Sequence, residues 1–212
     1  MTDSPLDALA IDRRAVTQRT NLDATSWVDY VPGFVRDPTT EFAAVHADTP
    51  WVQTEVLRYD KYVPEQRLSA GLRPDARPLL RQTDLYLRSV YRQQFDGVAA
   101  ILYRTGDDFQ GLHSDRAMRW LDDTLIAIVV LGQRRPFVIR PRGSWTESLA
   151  DRVPAGQASD DLVLLPGEGD LLVMGGACQH EFEHCVPKAA QVEGPRLSIM
   201  FRHHLADWQP PA

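Results

Sequence analysis

Short apolar segments separated by turn residues dominate the second half of the chain, and this pattern restricts the possible folds more than any other feature. The segments are four to seven residues long and rich in β-branched side chains: residues 98–103, 125–131, 137–140, 162–165, 170–174 and 196–201. Turn signals such as Pro166-Gly167 and Gly175-Gly176 separate them. Many short strands at close spacing predict a β-sandwich, a barrel or a jelly roll.

The first half of the chain mixes helical and extended patterns, which predicts an α/β extension in front of the β-rich core. We expect strands at residues 27–34 and 51–59, helices at 39–46 and 78–95, and a loop or hairpin at 63–78. Residues 1–25 are polar and weakly patterned, as in an arm or tail. The prediction is one mainly β domain with flanking helices over residues 26–212, with its core at about residues 98–204.

Arginine provides nearly all the positive charge of a chain that is acidic overall. The net charge is −6, and Lys61 and Lys188 are the only lysines among 23 basic residues. Such a chain is not held to nucleic acid by bulk charge. The arginine excess indicates carboxylate or phosphate recognition, or only codon usage. Residues 66–92 carry a local charge of +4 and residues 134–152 a charge of +3, so these two segments are candidates for a phosphate track or for the entrance of an acidic small molecule.

The sequence indicates less about the loops and about the cellular compartment. Residues 143–161 lack apolar periodicity and are long for a hairpin connection, which indicates a functional or a mobile loop. Cys178 and Cys185 are too few for a disulfide framework. No apolar run approaches the ~20 residues that a membrane helix needs. We therefore expect a cytoplasmic monomer with no membrane association.

Two histidines and an aspartate form the best candidate for a metal site. In an extended segment, His113 and Asp115 point to the same side and can converge on one ion. His184 follows much later, with His180 as a competing ligand four residues before it. Two histidines and one carboxylate make a facial triad, which leaves coordination positions open on non-haem Fe(II) for oxygen chemistry.

Two arginines strengthen that interpretation. Arg196 and Arg202 are an even number of residues apart on the last predicted strand, so both face the same side. An arginine fork binds a carboxylate through two parallel hydrogen bonds. Beside a metal triad, this pair indicates a dicarboxylate cosubstrate with one end on the metal and the other on arginine.

These residues belong to a larger set of motifs through which the sequence resembles the AlkB-like family of Fe(II)/2-oxoglutarate dioxygenases. The resemblance runs from about residue 27 to 204 and is dense from residue 98 onward. It is carried by Tyr30-Val31-Pro32-Gly33-Phe34, Leu102-Tyr103-Arg104-x-Gly106, His113-Ser114-Asp115, Leu131-Gly132-x-x-Arg135-Pro136-Phe137, the 169–176 segment, Gln179, His184-x-Val186-Pro187-Lys188 and Pro195-Arg196-Leu197-Ser198-x-x-Phe201-Arg202.

The resemblance implies a fold, cofactors and roles for individual residues. The fold is a double-stranded β-helix, a jelly roll with the metal at its mouth, and the cofactors are Fe(II), 2-oxoglutarate and O2. The implied metal ligands, which are also the catalytic residues, are His113, Asp115 and His184. The implied 2-oxoglutarate contacts are Tyr103 and Arg196 on the distal carboxylate and Arg202 at the metal-bound end.

Three positions depart from the pattern of family members that act on nucleobases. Ile101 stands where the family usually has an asparagine that contacts the cosubstrate. Ala117 stands where an acidic residue often meets the base. Gly71 or Leu72 stands near the place of a stacking aromatic residue. We place Trp120, Ala117 and Arg135 in the substrate pocket.

The resemblance implies oxidative demethylation of alkylated nucleobases in DNA or RNA, on a base that is flipped out or unpaired. Hydroxylation or demethylation of a small molecule or a protein side chain is the enzymatic alternative, motivated by Ala117 and Gly71. A non-catalytic jelly-roll binding module is the second alternative, motivated by Ile101.

Overall fold

The structure, a computed structural model, describes residues 9–58, 60–95, 97–115, 118, 123–143, 156 and 160–202. Its helices are α1 (Pro38–Asp48), α2 (Pro78–Tyr91) and α3 (Cys178–Glu181). Its strands are β1 (Gln18–Asn21), β2 (Ser26–Val31), β3 (Glu55–Arg58), β4 (Lys61–Pro64), β5 (Leu68–Leu72), β6 (Gly97–Tyr103), β7 (Gln110–His113), β8 (Thr124–Gly132), β9 (Phe137–Pro141), β10 (Leu162–Leu164), β11 (Asp170–Gly176), β12 (Phe182–Val186) and β13 (Arg196–Arg202).

Two antiparallel sheets form the body of the protein. The large sheet has seven strands in the order β1-β2-β11-β8-β13-β6-β5, and the small sheet has four in the order β10-β9-β12-β7. Strands β3 and β4 form a separate hairpin. The sequential strands are dispersed between and within the sheets, as in a jelly roll, so the mainly β fold predicted from the sequence is confirmed.

Strand β8 shows why the large sheet is buried on both faces. Its residues alternate between two apolar clusters, because successive side chains of a strand point to opposite faces. Leu125, Ala127 and Val129 join a cluster that includes residues of α1 and α2. Ile126 and Ile128 join a second cluster, which includes residues of the small sheet. The helices therefore cover the outer face of the large sheet, and the space between the sheets is left for a site.

The predicted helices are confirmed with shifted ends. Helix α1 contains the predicted 39–46 segment and begins after Asp37, which accepts a hydrogen bond from the Thr40 amide at 3.1 Å. Helix α2 begins at Pro78 as predicted but stops at Tyr91, because Arg92 takes a left-handed conformation with φ 60°. Within the described residues, no helix is both long and apolar enough to cross a membrane.

The first half of the chain contributes more to the sheets than the sequence indicated. The predicted 63–78 loop or hairpin contains β5, an edge strand that pairs with β6, and the strand predicted at 51–59 begins only at Glu55. The polar Ser69-Ala70-Gly71 centre of β5 has little β propensity of its own. Pairing with a buried neighbour therefore determines its conformation.

Part of the predicted N-terminal arm is built into the domain. Ile11 is buried, and β1 pairs with β2. Arg19 on β1 donates two hydrogen bonds, of 2.7 and 2.8 Å, to the buried carboxylate of Asp29, which also accepts one from the Tyr91 hydroxyl at 2.9 Å. This bidentate pair ties β1 to both β2 and α2.

Gly176, at the end of β11, offers a test of the sheet geometry. Its φ is +69°, and a Cβ at this position would collide with the carbonyl oxygen of Thr25. Gly176→Ala is expected to lower the free energy of unfolding by about 2 kcal/mol or more, since left-handed strain and overpacking add. Gly71→Ala is the matched control, because nothing lies within 4 Å of its Cβ position. Urea denaturation of both variants measures the difference; equal stabilities would contradict the packing described.

Candidate active site

Two neighbouring strands of the small sheet bring the first two candidate ligands together. His113 is the last residue of β7 and pairs directly with His184 on β12, and their ring centroids lie 4.4 Å apart. Asp115 follows β7 by two residues. One ligand atom from each of the three residues lies within 4.8 Å of the others. The structure thus assembles the triad that the sequence singled out.

The tautomer of His113 suits metal binding. Its Nδ1 lies 2.9 Å from the carbonyl oxygen of Gly111, which can only accept, so Nδ1 carries the hydrogen. Nε2 then has a free lone pair and lies 4.0 Å from Oδ1 of Asp115. A second-shell contact that fixes one ring nitrogen is typical of histidine ligands.

His184 is buried beside His113 and stacks at 5.6 Å on Phe137. Burial lowers the pKa of His184 well below its usual value, and the nearby charge of Arg202 acts in the same direction. The ring is therefore neutral and able to donate a lone pair. The competing candidate, His180, is half-exposed, with its Nδ1 at 2.9 Å from Glu181. It does not belong to the ligand group found among the described residues.

Asp115 is held from two sides. Its backbone amide donates to Oε1 of the buried Gln179 at 3.1 Å, and Nε of Arg202 lies 3.3 Å from its Oδ2. Gln179 belongs to the short helix α3, whose Gln179 carbonyl accepts a hydrogen bond from Arg142 at 3.1 Å. Arg142 also donates to the Ser114 hydroxyl. The segment carrying Asp115 is therefore anchored to α3 by two side chains.

Arg196 is the most unusual buried charge in the site. It is fully buried on β13 and pairs in register with Tyr103 on β6. One guanidinium nitrogen donates to the Ser198 hydroxyl at 2.6 Å, but Nε and the other terminal nitrogen have no partner. Burial lowers the pKa of Arg196 to about 10. An unpaired buried guanidinium is costly, and these nitrogens fit the distal carboxylate of a dicarboxylic acid.

A cavity of about 210 Å³ joins the two parts of the site. The triad lines one part of its wall, and Tyr103, Ser198 and Arg202 line another. Apolar side chains, among them Ile101 and Ile128, complete it. A metal at the triad and a carboxylate near Tyr103 would therefore occupy the same cavity.

Arg135 is not among the residues that line this cavity, and its place in the substrate pocket stays a prediction. Its side chain is fully buried and donates hydrogen bonds of 2.7 to 3.3 Å to four backbone carbonyls: those of Thr105, Gly106, Asp108 and Pro187. It holds the loops at the end of β6 and after β12. Main-chain oxygens accept hydrogen bonds from both terminal nitrogens of Arg135, and its buried Nε has no partner. Ala117, Trp120 and most of the 143–161 loop lie outside the described residues.

The predicted basic segments are largely neutralised. Six of their arginines form ion pairs with carboxylates: Arg67–Glu65, Arg73–Asp75, Arg77–Asp48, Arg88–Asp84, Arg134–Asp170 and Arg140–Asp161. Among the residues of 66–92 and 134–152 that the structure describes, the arginines therefore do not form a continuous row without carboxylate partners. Arg67 differs from the others, because it also lines the cavity. The sequence offered no signal that would separate it from its neighbours.

Gln179 provides a test of how Asp115 is oriented. Gln179→Leu removes the acceptor of the Asp115 amide without changing any ligand, and we expect Fe(II) affinity to fall by about 10- to 100-fold, as is typical for an outer-shell partner. Anaerobic equilibrium titration with Fe(II) measures it. Gln133→Leu, at an exposed position, is the control and should bind as the wild type does. Unchanged affinity in Gln179→Leu would show that the amide contact does not orient the ligand.

The chain matches known proteins along most of its length. The profile of the 2OG-Fe(II) oxygenase superfamily matches residues 29–202, a range that contains every candidate ligand. Among sequence relatives, a DNA oxidative demethylase ALKBH2 from Arabidopsis thaliana is 25% identical, covering 94% of this chain and 72% of the relative. An alpha-ketoglutarate-dependent dioxygenase alkB homolog 3 from Homo sapiens is 26% identical, covering 91% and 71%.

Solved structures show the same fold. An oxidoreductase of the 2OG-Fe(II) oxygenase family from Burkholderia pseudomallei superposes with a TM-score of 0.55 at 15% identity, covering 82% of this chain and 84% of the other. A prolyl hydroxylase from Trichoplax adhaerens superposes with a TM-score of 0.51 at 11% identity, covering 79% and 76%. At such identities the likeness concerns the fold alone.

Proposed function

The chain belongs to the 2OG-Fe(II) oxygenase superfamily, and from that premise we propose that it oxidatively demethylates alkylated nucleobases in DNA or RNA. The observation that carries the proposal is a cavity that extends from a two-histidine, one-carboxylate triad to Tyr103 and Ser198, the two residues against which the buried Arg196 lies with two unpartnered nitrogens. The superfamily implies Fe(II) and 2-oxoglutarate, and the donor atoms present suit both. The choice of nucleobases draws on the AlkB-homologue names of the sequence relatives.

Each residue of the site has a role that its geometry supports. His113, Asp115 and His184 would hold Fe(II). Arg196 and Tyr103 would bind the distal carboxylate of 2-oxoglutarate. Arg202, which lies beside Asp115 and lines the cavity, steadies the end of 2-oxoglutarate nearest the metal. With these roles, the protein would hold 2-oxoglutarate at both ends.

When bound, Fe(II) and 2-oxoglutarate supply the chemistry that uses O2 to hydroxylate a C–H bond, with succinate and carbon dioxide as coproducts. The protein contributes position and exclusion of water. Ile101, Ile128 and Phe137 line the cavity with apolar surface next to the triad, which limits side reactions with solvent. A hydroxylated N-methyl group then leaves as formaldehyde, which restores the unmodified base.

A second candidate function is hydroxylation or demethylation of a small molecule or a protein side chain. It is favoured by the pairing of six arginines in the basic segments with carboxylates, because nucleic-acid affinity depends strongly on the number of phosphate contacts. The third candidate, a binding module without catalysis, is disfavoured by the convergence of the three ligand atoms.

Substrate-stimulated succinate release tests the proposal. Single-stranded oligonucleotides carrying 1-methyladenine or 3-methylcytosine should raise succinate release above the rate measured without substrate. The formaldehyde formed should equal this increase in succinate. Unmodified oligonucleotides of the same sequence should cause no increase. Stimulation only by small acids or peptides would support the second candidate and overturn the first. The absence of succinate with every substrate, together with the absence of Fe(II) binding, would support the binding module.

A further inference from the structure

Arg67 is one of two arginines that line the cavity, and Arg202 is the other. It lies between the β3–β4 hairpin and β5, and its side chain lines the cavity together with Tyr103 and Ser198. Its terminal nitrogen donates to Glu65 at 2.8 Å, on the side of the hairpin. Its Nε is buried and has no hydrogen-bond partner. A buried donor without an acceptor is costly, so an acceptor from outside the chain would relieve it.

Strand pairing places Arg67 beside the carboxylate-binding residues. Leu68 on β5 pairs with Leu102 on β6, so Arg67 comes next to Tyr103 at the end of the ladder. Arg196 on β13 pairs with Tyr103 from the opposite side. Burial raises the pKa of the Tyr103 phenol, and three guanidinium charges act in the opposite direction: Arg196, Arg67 and Arg135. Tyr103 is thus flanked by cations on both neighbouring strands.

The same region is poor in groups that neutralise those charges. No ion pair to a carboxylate is found for Arg196 or Arg135 among the residues that the structure describes. Ile101, which also lines this wall, offers the cavity no hydrogen-bond donor or acceptor. Four buried nitrogens on the arginines around this tyrosine have no hydrogen-bond partner: two on Arg196, one on Arg67 and one on Arg135, which does not line the cavity. A carboxylate has two oxygens and about four lone-pair sites, enough to accept from those on Arg196 and Arg67.

We propose that Arg67 binds the distal carboxylate of 2-oxoglutarate jointly with Arg196 and Tyr103, and that it thereby selects a dicarboxylate over a monocarboxylate 2-oxoacid. This inference rests on the proposed use of 2-oxoglutarate at the same site. The carboxylate then accepts hydrogen bonds from two guanidinium groups, that of Arg196 on β13 and that of Arg67 immediately before β5. Glu65 keeps Arg67 oriented through its other nitrogen.

The test compares two ligands and three proteins under anaerobic conditions with Mn(II) in place of Fe(II), so that binding is measured without turnover. The ligands are 2-oxoglutarate and 2-oxopentanoate, which lacks the distal carboxylate. The proteins are wild type, Arg67→Ala and Arg73→Ala. Arg73 is the matched control, because it is an exposed arginine of the same segment whose carboxylate partner is Asp75. Calorimetry gives each dissociation constant.

We expect Arg67→Ala to bind 2-oxoglutarate about tenfold or more weakly, the loss typical of a hydrogen bond to a charged group, and to bind 2-oxopentanoate as the wild type does. Arg73→Ala should match the wild type with both ligands. An unchanged 2-oxoglutarate constant in Arg67→Ala would overturn the inference, as would an equal loss for both ligands, which would indicate a structural role. If wild-type protein does not bind 2-oxoglutarate, the proposed function itself fails.

A second measurement separates cosubstrate from substrate. If Arg67 instead binds an anionic group of the primary substrate, Arg67→Ala will leave the 2-oxoglutarate constant unchanged and raise the KM for the methylated oligonucleotide. That result contradicts the proposal. Arg67→Lys serves as the conservative variant; it should recover part of the preference for the dicarboxylate, since it restores the charge without the planar fork.

Discussion

His113→Ala is expected to abolish Fe(II)-dependent turnover while the protein stays folded. The substitution removes one of three ligands, so Fe(II) affinity should fall by more than the roughly 10- to 100-fold that the loss of an outer-shell partner causes. The fold should survive, because His113 ends an edge strand of the small sheet and is only partly buried. Anaerobic Fe(II) titration and succinate release measure the two effects.

His180→Ala is the control for that experiment. His180 lies on α3, close to the ligands in sequence, but its half-exposed ring is turned to Glu181. Its removal should leave Fe(II) affinity and turnover within about twofold of the wild type, since exposed pairs of this kind contribute little. Loss of activity in His180→Ala, with His113→Ala still active, would mean that the ligand assignment is wrong.

Arg196→Met is expected to weaken 2-oxoglutarate binding without lowering the free energy of unfolding. The loss of two or more hydrogen bonds to a carboxylate should weaken 2-oxoglutarate binding by about 100-fold or more. The free energy of unfolding of the cosubstrate-free protein should stay the same or rise, because replacing an unpaired buried charge by an apolar side chain of similar volume is often neutral or stabilising. Calorimetry with 2-oxoglutarate and urea denaturation without it measure the two quantities.

The opposite pattern would contradict the account of Arg196. If Arg196→Met unfolds easily but the folded fraction binds 2-oxoglutarate normally, the guanidinium supports the fold and not the cosubstrate. Arg134→Met is a useful comparison. Arg134 is half-exposed and pairs with Asp170 at 2.9 Å, so its loss should cost some stability and leave 2-oxoglutarate binding unchanged.

The candidate metal ligands and the two arginines of the last strand are predictable from the sequence, because their spacing follows strand geometry. His113 and Asp115 were assigned to one side of an extended segment, and Arg196 and Arg202 to one side of a strand; the structure brings the first pair together with His184. The strands that carry the histidines were not predicted. β7 has only four residues and includes Gly111, and the five residues of β12 do not alternate, because Glu183 and His184 are adjacent. Their pairing is a long-range contact with no local signal.

Burial and hydrogen-bond partners also separate arginines whose roles the sequence leaves open. Arg135 and Arg67 look alike as arginines in basic segments, yet one holds backbone carbonyls and the other lines the cavity. Arg135 stands in one of the motifs that carry the family resemblance, whereas Arg67 comes next to Tyr103 only because β5 pairs with β6. The same long-range pairing makes residues 68–72 an edge strand, where the sequence predicts a loop or hairpin.

The most direct test of the central claim is an anaerobic titration of the protein with Fe(II) followed by 2-oxoglutarate, monitored by visible absorption. A weak charge-transfer band should appear only when both are present, and it should be lost in His113→Ala and shifted to much higher 2-oxoglutarate concentration in Arg196→Met. The absence of a band in the wild type, with no thermal stabilisation by either component, would show that the triad, Arg196 and Tyr103 do not form an Fe(II)/2-oxoglutarate site.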